Sequence, residues 1–188
     1  MRTEMIRKFD LTGKKAIITG VGSLEGIGRY LAEGLCESGA QVVLINRSER
    51  MYKVRDFFRE RGFSADGVVA DLTDRVQLDD AFRQSMELLG GRLDILVNCA
   101  GMQKRMDSVD FSREDWDAVV ALNLNAVFFL SQLAAREMEK QHKGKIINIA
   151  SMLSFFGGMT VPAYAASKGG VAQMTKALCN ELASKGIQ

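Results

Sequence analysis

The chain has 188 residues, 47% of them hydrophobic and 26% charged, with a net charge of +2 at pH 7. That is apolar material for one domain, residues 1–188, with a sizeable core, and too little basic excess to expect a nucleic-acid partner. No apolar stretch is read as approaching the ~20 residues of a membrane span and the N-terminus lacks a signal-peptide pattern, so no membrane partner is expected either.

Strand-like and helix-like runs alternate from the start. Ala16-Ile17-Ile18-Thr19 is a short apolar run, followed by a glycine-rich turn and a helix with Ile27, Leu31 and Leu35 on one face. Gly39 ends that helix. Gln41 to Asn46 reads as the second strand, Met51 to Arg61 as a polar helix closed by Gly62, and Gly67 to Ala70 as the third strand. Leu78, Phe82, Ser85, Met86 and Leu89 mark one helix face, ended by Gly90-Gly91, before a fourth strand from Leu93 to Asn98. A single long helix is expected from about Arg113 to Lys140, then a fifth strand from Lys145 to Ala150. Near-continuous apolar strands separated by helices imply a parallel sheet buried on both faces, with right-handed crossovers. The expected fold is therefore α/β, a doubly wound parallel sheet in three layers, with ligands at the C-terminal strand ends.

Cys36, Cys99 and Cys179 are widely spaced and form no CxxC pair, which reads as buried thiols in a reducing compartment, the cytoplasm. His142 lies in the polar stretch 139–144 and reads as surface loop. Without partner ligands no metal site is expected.

Two stretches carry chemistry. The first is Thr19-Gly20-Val21-Gly22-Ser23-Leu24-Glu25-Gly26-Ile27-Gly28, between the first strand and the first helix. A dinucleotide pyrophosphate meets a helix N-terminus at such a point, and glycines let the backbone approach it. Glu25 is out of place beside a pyrophosphate unless it points into solvent. The second stretch runs from the fifth strand through Ser151 into a helix carrying Tyr164 and Lys168. Spacing i, i+4 puts phenol and ammonium one turn apart, which favours the phenolate and suits Tyr164 to general acid–base work. Ser151, at a strand end, can hydrogen-bond the same reacting oxygen. The pair alone also fits a helix with a snorkelling lysine. What argues further is the order of Ser151, Tyr164 and Lys168 together with the glycine turn.

In order and spacing these three residues resemble the Ser, Tyr and Lys of the short-chain dehydrogenase/reductases, a family with a Rossmann-like fold and a nicotinamide cofactor. The resemblance runs from the first strand to the last residue and is close after Asn98. It implies that Tyr164 is the proton donor and acceptor, that Lys168 lowers its pKa and binds the nicotinamide ribose, and that Ser151 orients the carbonyl. Asn123, within Leu122-Asn123-Leu124-Asn125, falls where the family carries an Asn that holds a water linking lysine to solvent; Asn125 is the competing assignment. Trp116 reads as core.

The family spaces its turn as Thr-Gly, three residues, then Gly-x-Gly. Here five residues separate Gly20 from Gly26, and Gly22 restores the three-residue gap, so the tight turn starts at Gly20 or at Gly22. The longer gap also resembles the enoyl-reductase branch, which spaces its Tyr and Lys further apart. The resemblance implies cofactor contacts from Gly20, Gly22, Ser23, Gly26, Ile27, Gly28, Asp71, Leu72, Asn98, Ala100 and Gly101, with Cys99 replacing the second Asn of the family's Asn-Asn-Ala-Gly. Asp71 matches the Asp that contacts adenine and can equally cap the next helix. At the second strand's end stands Asn46-Arg47 rather than an acid, which favours NADP slightly over NAD if Arg47 pairs with a 2′-phosphate; a solvated surface charge is the alternative. Within the family, the segments around Ser151 and Asn123 are most similar to dehydrogenases acting at carbon 5 of 2-dehydro-3-deoxy-gluconate or of gluconate, with the 3-oxoacyl-carrier reductases as competitors. Lys104 and Arg105 can hold a sugar-acid carboxylate or remain solvated loop charges.

The family continues beyond Gln188, so a C-terminally incomplete sheet, with an unpaired edge and an uncovered helix face, is expected here. A cofactor-binding module with little catalysis is the alternative function. The long helix (Val119, Val120, Leu124, Val127, Phe128, Leu130, Leu133) and the Tyr-bearing helix (Val171, Met174, Leu178, Leu182) carry more apolar residues than one buried face needs. Meeting their copies across a two-fold axis, they would give a homodimer or homotetramer.

Overall fold

The computed structural model describes residues 9–188, so the first eight residues of the expected domain lie outside the described residues. Five strands form one parallel sheet: β1 (Lys15–Thr19), β2 (Gln41–Asn46), β3 (Ala65–Val69), β4 (Ile95–Asn98) and β5 (Lys145–Asn148), in the order β3-β2-β1-β4-β5. The switch point lies at β1, which pairs Ile17 with Val43 on one side and with Leu96 on the other. Helices α1 (Ile27–Glu37), α2 (Met51–Glu60), α3 (Arg75–Leu88), α4 (Arg113–Val120), α5 (Ala126–Lys140), α6 (Leu153–Phe156) and α7 (Pro162–Leu182) connect or follow the strands.

Successive side chains of a strand point to opposite faces, so β1 and β2 build two cores at once. Ile17, Val43, Ile45 and Leu96 meet Leu78, Phe82 and Leu130 on one face. Ala16, Ile18, Val42 and Leu44 meet Ala32, Val54 and Phe58 on the other. Each face buries enough apolar surface to hold two helices, and each fully buried leucine or isoleucine contributes about 1.5–3 kcal/mol.

Several expectations are corrected. Ile27 is 69% exposed, and α1 turns Gly28, Ala32 and Cys36 to the sheet. Gly28 sits so close to the β1 turn that a Cβ would meet the Gly20 carbonyl oxygen at 2.7 Å, so a small residue leads the buried face and the larger Ile is displaced outward. The helix α2 is not wholly polar, since Met51, Val54 and Phe58 are buried. The strand β5 is not buried on both faces: it lies at the sheet's edge, and Ile147 is 47% exposed. That edge is not wholly unpaired, because Ile187-Gln188 runs beside its start, with the Ile146 amide donating to the Gln188 carbonyl at 2.8 Å. Cys36 is buried, but Cys99 is half-buried and Cys179 exposed, so the thiols are not uniformly interior. Trp116 is 40% exposed rather than core. His142 is exposed in a loop, as expected.

The helix expected from Arg113 to Lys140 is interrupted by a π-helical turn at Ala121–Asn125. By length and composition this 28-residue stretch would suffice to cross a membrane, against the expectation that no stretch approaches that length. Here it is a core helix, with Val119, Val127, Leu130, Ala134 and Met138 buried against the sheet and its helices.

Candidate functional site

A cavity of about 830 Å³ opens at the C-terminal ends of β1 to β4. Its floor is the turn after β1. Gly20 has φ +79°, a backbone only glycine adopts without strain, and a Cβ there would lie 2.6 Å from the backbone of Ala100. The tight turn therefore starts at Gly20, while Gly22 packs against the Asn46 side chain. Within this long turn Ser23, Leu24 and Glu25 are exposed, and Ser23 Oγ accepts from the Glu25 amide at 3.1 Å. Glu25 thus points into solvent. Buried Thr19 was not singled out from the sequence; its Oγ1 accepts from the amides of Cys99 (3.1 Å) and Ala100 (3.0 Å), fastening the end of β4 beside the turn.

Gly20, Gly22, Ser23, Gly26, Asn46, Arg47, Asp71, Leu72, Ala100 and Gly101 line this cavity, together with Cys99 and Met102. Ile27, Gly28 and Asn98 do not, nor do Asn123, Ser151, Tyr164 and Lys168: Ile27 faces solvent, Gly28 seats α1 on the turn, and Asn98 is buried beneath the site. The Asn98 amide donates to Ser131 Oγ (3.1 Å) and to Asn148 Oδ1 (2.9 Å), and Asn148 donates on to Thr175 Oγ1 (3.0 Å), so β4, β5, α5 and α7 share one polar bridge. Asn98 Oδ1 has no partner among the described residues. Asp71 accepts from the Thr73 amide (2.9 Å) and hydroxyl (2.7 Å), while the cap of α3 is Asp74, which accepts from Val76 and Gln77. Asp71 is thereby held at the cavity wall rather than spent on the helix. Asp117, Ala118, Ala121 and Leu122 form the far wall, all within two turns before Asn123.

The four expected catalytic residues come from three elements. Asn123 is fully buried in the π turn, where Oδ1 accepts from the Met102 amide (2.8 Å) and Nδ2 donates to the Met102 carbonyl (2.9 Å) and to Ser167 Oγ (3.2 Å). Such a turn inserts a residue and re-aims side chains, and is frequent at functional sites. Asn125, the competing assignment, is exposed. A Cβ placed on Gly101 would lie 3.4 Å from Asn123 Oδ1 and 3.8 Å from Lys168 Nζ, so these groups share one corner at the cavity's end. Lys168 is buried, its Nζ donating to the Ile149 carbonyl at 2.5 Å and standing 5.9 Å from the Tyr164 ring centroid. Burial holds its pKa below the ordinary lysine value, opposed by the Cys99 thiol, and burial in turn raises the pKa of Cys99 against the pull of Lys168. Ser151 Oγ accepts from the Leu153 amide at 3.1 Å, which leaves the hydroxyl proton for an outside acceptor. Tyr164 is half-buried, and its carbonyl accepts from Ser167 Oγ at 2.8 Å.

Lys104 pairs with Asp115 at 3.0 Å, so its charge is already matched, whereas Arg105 is exposed with no ion-pair partner among the described residues. Trp116, expected in the core, lines a separate groove of about 320 Å³ with Phe111, Arg113, Asp117 and Pro162. No cluster of metal-ligating side chains occurs among the described residues.

A parallel sheet with a tight glycine turn at its switch point, opening on a cavity at the strand ends, is the architecture of the Rossmann-like dinucleotide-dependent oxidoreductases. The family model of the short chain dehydrogenases matches residues 14–188, and the chain belongs to that family. Among similar proteins is a 2-dehydro-3-deoxy-D-gluconate 5-dehydrogenase of Bacillus subtilis, 41% identical over 180 residues, 96% of this chain and 69% of that protein. A 5-keto-D-gluconate 5-reductase of Escherichia coli is 39% identical over 181 residues, 96% of this chain and 70% of that protein. The crystal structure of a gluconate 5-dehydrogenase from Burkholderia cenocepacia, in complex with NADP and tartrate, superposes with a TM-score of 0.90 at 41% identity, covering 98% of this chain and 71% of that one.

Proposed function

We propose that this NAD(P)-dependent oxidoreductase interconverts the ketone and secondary alcohol at carbon 5 of a sugar acid such as 2-dehydro-3-deoxy-gluconate, with NADP(H) preferred. The observation that supports the chemistry is the shared corner of Gly101, Asn123 and Lys168 at the end of the cavity. The substrate class rests on the similar proteins reported above, all three of which bear gluconate or deoxygluconate names.

The residues fit a dinucleotide. Gly20 admits no side chain beside Ala100, and α1 begins at Ile27, so free amides of its first turn face a pyrophosphate. Arg47, exposed at the rim beyond β2, offers a guanidinium to a 2′-phosphate, and no acidic side chain lies at Asn46 or Arg47 to repel it. When bound, the cofactor supplies or receives the hydride. The chain's own residues handle the proton: Ser151 donates its free O–H to the substrate oxygen, and Tyr164 gives or takes the proton at that oxygen. Lys168, with one of three donors engaged by Ile149, keeps two for the ribose hydroxyls and lends positive charge to the phenol. Asn123 fixes the Met102 backbone, and through Ser167 the turn of α7 between Tyr164 and Lys168. Arg105 is the better candidate than Lys104 for a substrate carboxylate.

Association through α4–α5 and α7 is also proposed, on a narrower base than the sequence suggested. Val119, Val127, Leu130 and Val171 are buried within the chain, and Leu133 and Leu182 pack against its core. Val120, Leu124, Phe128, Met174 and Leu178 remain half-buried and available to a second copy.

The test is a turnover panel: 5-keto-gluconate, 2,5-diketo-3-deoxy-gluconate and a 3-oxoacyl thioester, each with NADPH and NADH. Reduction of the keto acids with NADPH is expected. Turnover of the thioester alone would overturn the substrate class.

A further inference from the structure

We propose that Ser154 is a positioning residue that locks the Ser151 loop onto the helix carrying Tyr164 and Lys168. The proposal rests on the catalytic reading of Ser151 and Lys168 given above and adds a residue to it.

Three hydrogen bonds meet at Ser154. Its Oγ donates to the Lys168 carbonyl at 2.7 Å and accepts from the Ser151 amide at 3.2 Å, while its own amide donates to the Ser151 carbonyl at 3.0 Å. One hydroxyl therefore joins the backbone of Ser151 to the backbone of Lys168, across the gap between the loop and α7. The approach is close, with the Ser154 carbonyl 3.7 Å from where a Cβ would sit on Gly169.

Polar contacts carry this junction because apolar packing cannot. Around Ser151 the loop shows Met152, Phe155, Phe156 and Met159 at 73%, 73%, 78% and 89% exposure. Leu153 is the one large apolar side chain between Ser151 and Phe156 that turns inward, reaching towards Gly158 and lying half-buried. With only half-buried Leu153 and, at the loop's far end, buried Val161 as apolar anchors, the loop has little to fix it to better than an ångström, and catalytic groups lose rate steeply over such a distance. Replacing Ser154 by Ala frees the Ser151 amide and uncouples Ser151 from Lys168, without touching the cofactor cavity, which Ser154 does not line.

Ser154→Ala and Ser154→Thr separate positioning from mere folding. With keto acid and NADPH saturating, kcat of Ser154→Ala is expected to fall about tenfold, the effect of one lost hydrogen bond on the reacting geometry. NADPH affinity is expected within about twofold of the parent, and Ser154→Thr, which keeps the Oγ, within about twofold in kcat. Hydrogen exchange at the Ser151 amide is expected to accelerate about tenfold in the Ala variant alone. Should Ser154→Ala not accumulate as folded protein, Ser154→Cys, with its weaker donor and acceptor, carries the same expectations. A kcat unchanged in the Ala variant, equal losses in Ala and Thr, or unaltered exchange at Ser151 would each overturn the proposal. Absence of turnover in the parent protein would count against the functional reading instead, and the Ser151 exchange would still decide the role of Ser154.

Discussion

The two halves of the sheet are held by different forces. On the cofactor side, β1 and β2 place Ile17, Ile18 and Val42 to Ile45 at zero exposure, and the turn at Gly20 closes on Ala100 with no room for a methyl group. On the side proposed to be catalytic, β5 alternates exposed and half-buried residues and leads into a loop with four exposed large apolar side chains. There the order comes from hydrogen bonds: Asn98 to Ser131 and Asn148, Asn123 to Met102 and Ser167, Ser154 to Lys168. Close packing gives a rigid cradle for a cofactor that must always dock the same way. Polar ties give direction, which proton transfer requires, and each is worth only about 0.5–1.5 kcal/mol. The catalytic half should therefore lose function before it loses its fold, and the cofactor half should lose both together.

Lys168→Met probes the first half of that statement. Turnover is expected to fall about 10³-fold, within the usual range for a group acting on proton transfer. Stability is expected to move the other way. Because burial lowers the Lys168 pKa, the folded chain holds fewer protons than the unfolded chain between the folded value and the ordinary 10.5, so parent stability climbs with pH across that window. Below it the burial cost is present in full. Melting curves should thus show the Met variant ahead at neutral pH, with the gap closing as pH approaches 10.5.

Gly20→Ala probes the second half. A Cβ at φ +79° and 2.6 Å from Ala100 costs about 2–4 kcal/mol in strain and displaced backbone. Urea unfolding and NADPH titration should both register it, the affinity falling about 10²-fold; an intact affinity with lowered stability would show that the turn is only a structural corner.

Much of the cofactor half is legible in sequence, since buried parallel strands write themselves as apolar runs and a tight turn as glycine. The start of the turn at Gly20 was open between two glycines until the approach to Ala100 decided it. The catalytic half is legible in its triad spacing and little else. The π turn around Asn123 has no periodicity to announce it, because a single inserted residue leaves the apolar pattern of Val119, Val127 and Leu130 intact. Ser154 and Ser167 look like ordinary polar residues until the chain brings Lys168 and Asn123 to them. Ile27 and Trp116 are exposed for separate reasons: Gly28 takes the buried place at the start of α1, and Trp116 lines a surface groove.

Smaller effects refine the contrast at the cavity rim. Arg47→Ala should lower the NADPH-to-NADH affinity ratio about five- to tenfold, as loss of one charged hydrogen bond does, and fluorescence titration with both cofactors measures it. An unchanged ratio would make Arg47 a surface charge. Thiol alkylation should mark Cys179 first, Cys99 slowly and less in the presence of NADPH, and Cys36 last, since burial and the neighbouring Glu33 and Glu37 push the Cys36 pKa up to about 12. Peptide mapping by mass spectrometry reads the order.

The central claim is that Tyr164 moves the proton at a sugar-acid carbonyl while the packed half of the sheet holds the cofactor independently. Tyr164→Phe, assayed for NADPH-dependent keto-acid reduction and for NADPH affinity in the same preparation, tests it most directly. The account predicts turnover reduced at least about 10²-fold with NADPH affinity within about threefold of the parent. Retention of most of the turnover, or loss of NADPH binding in step with activity, would contradict it.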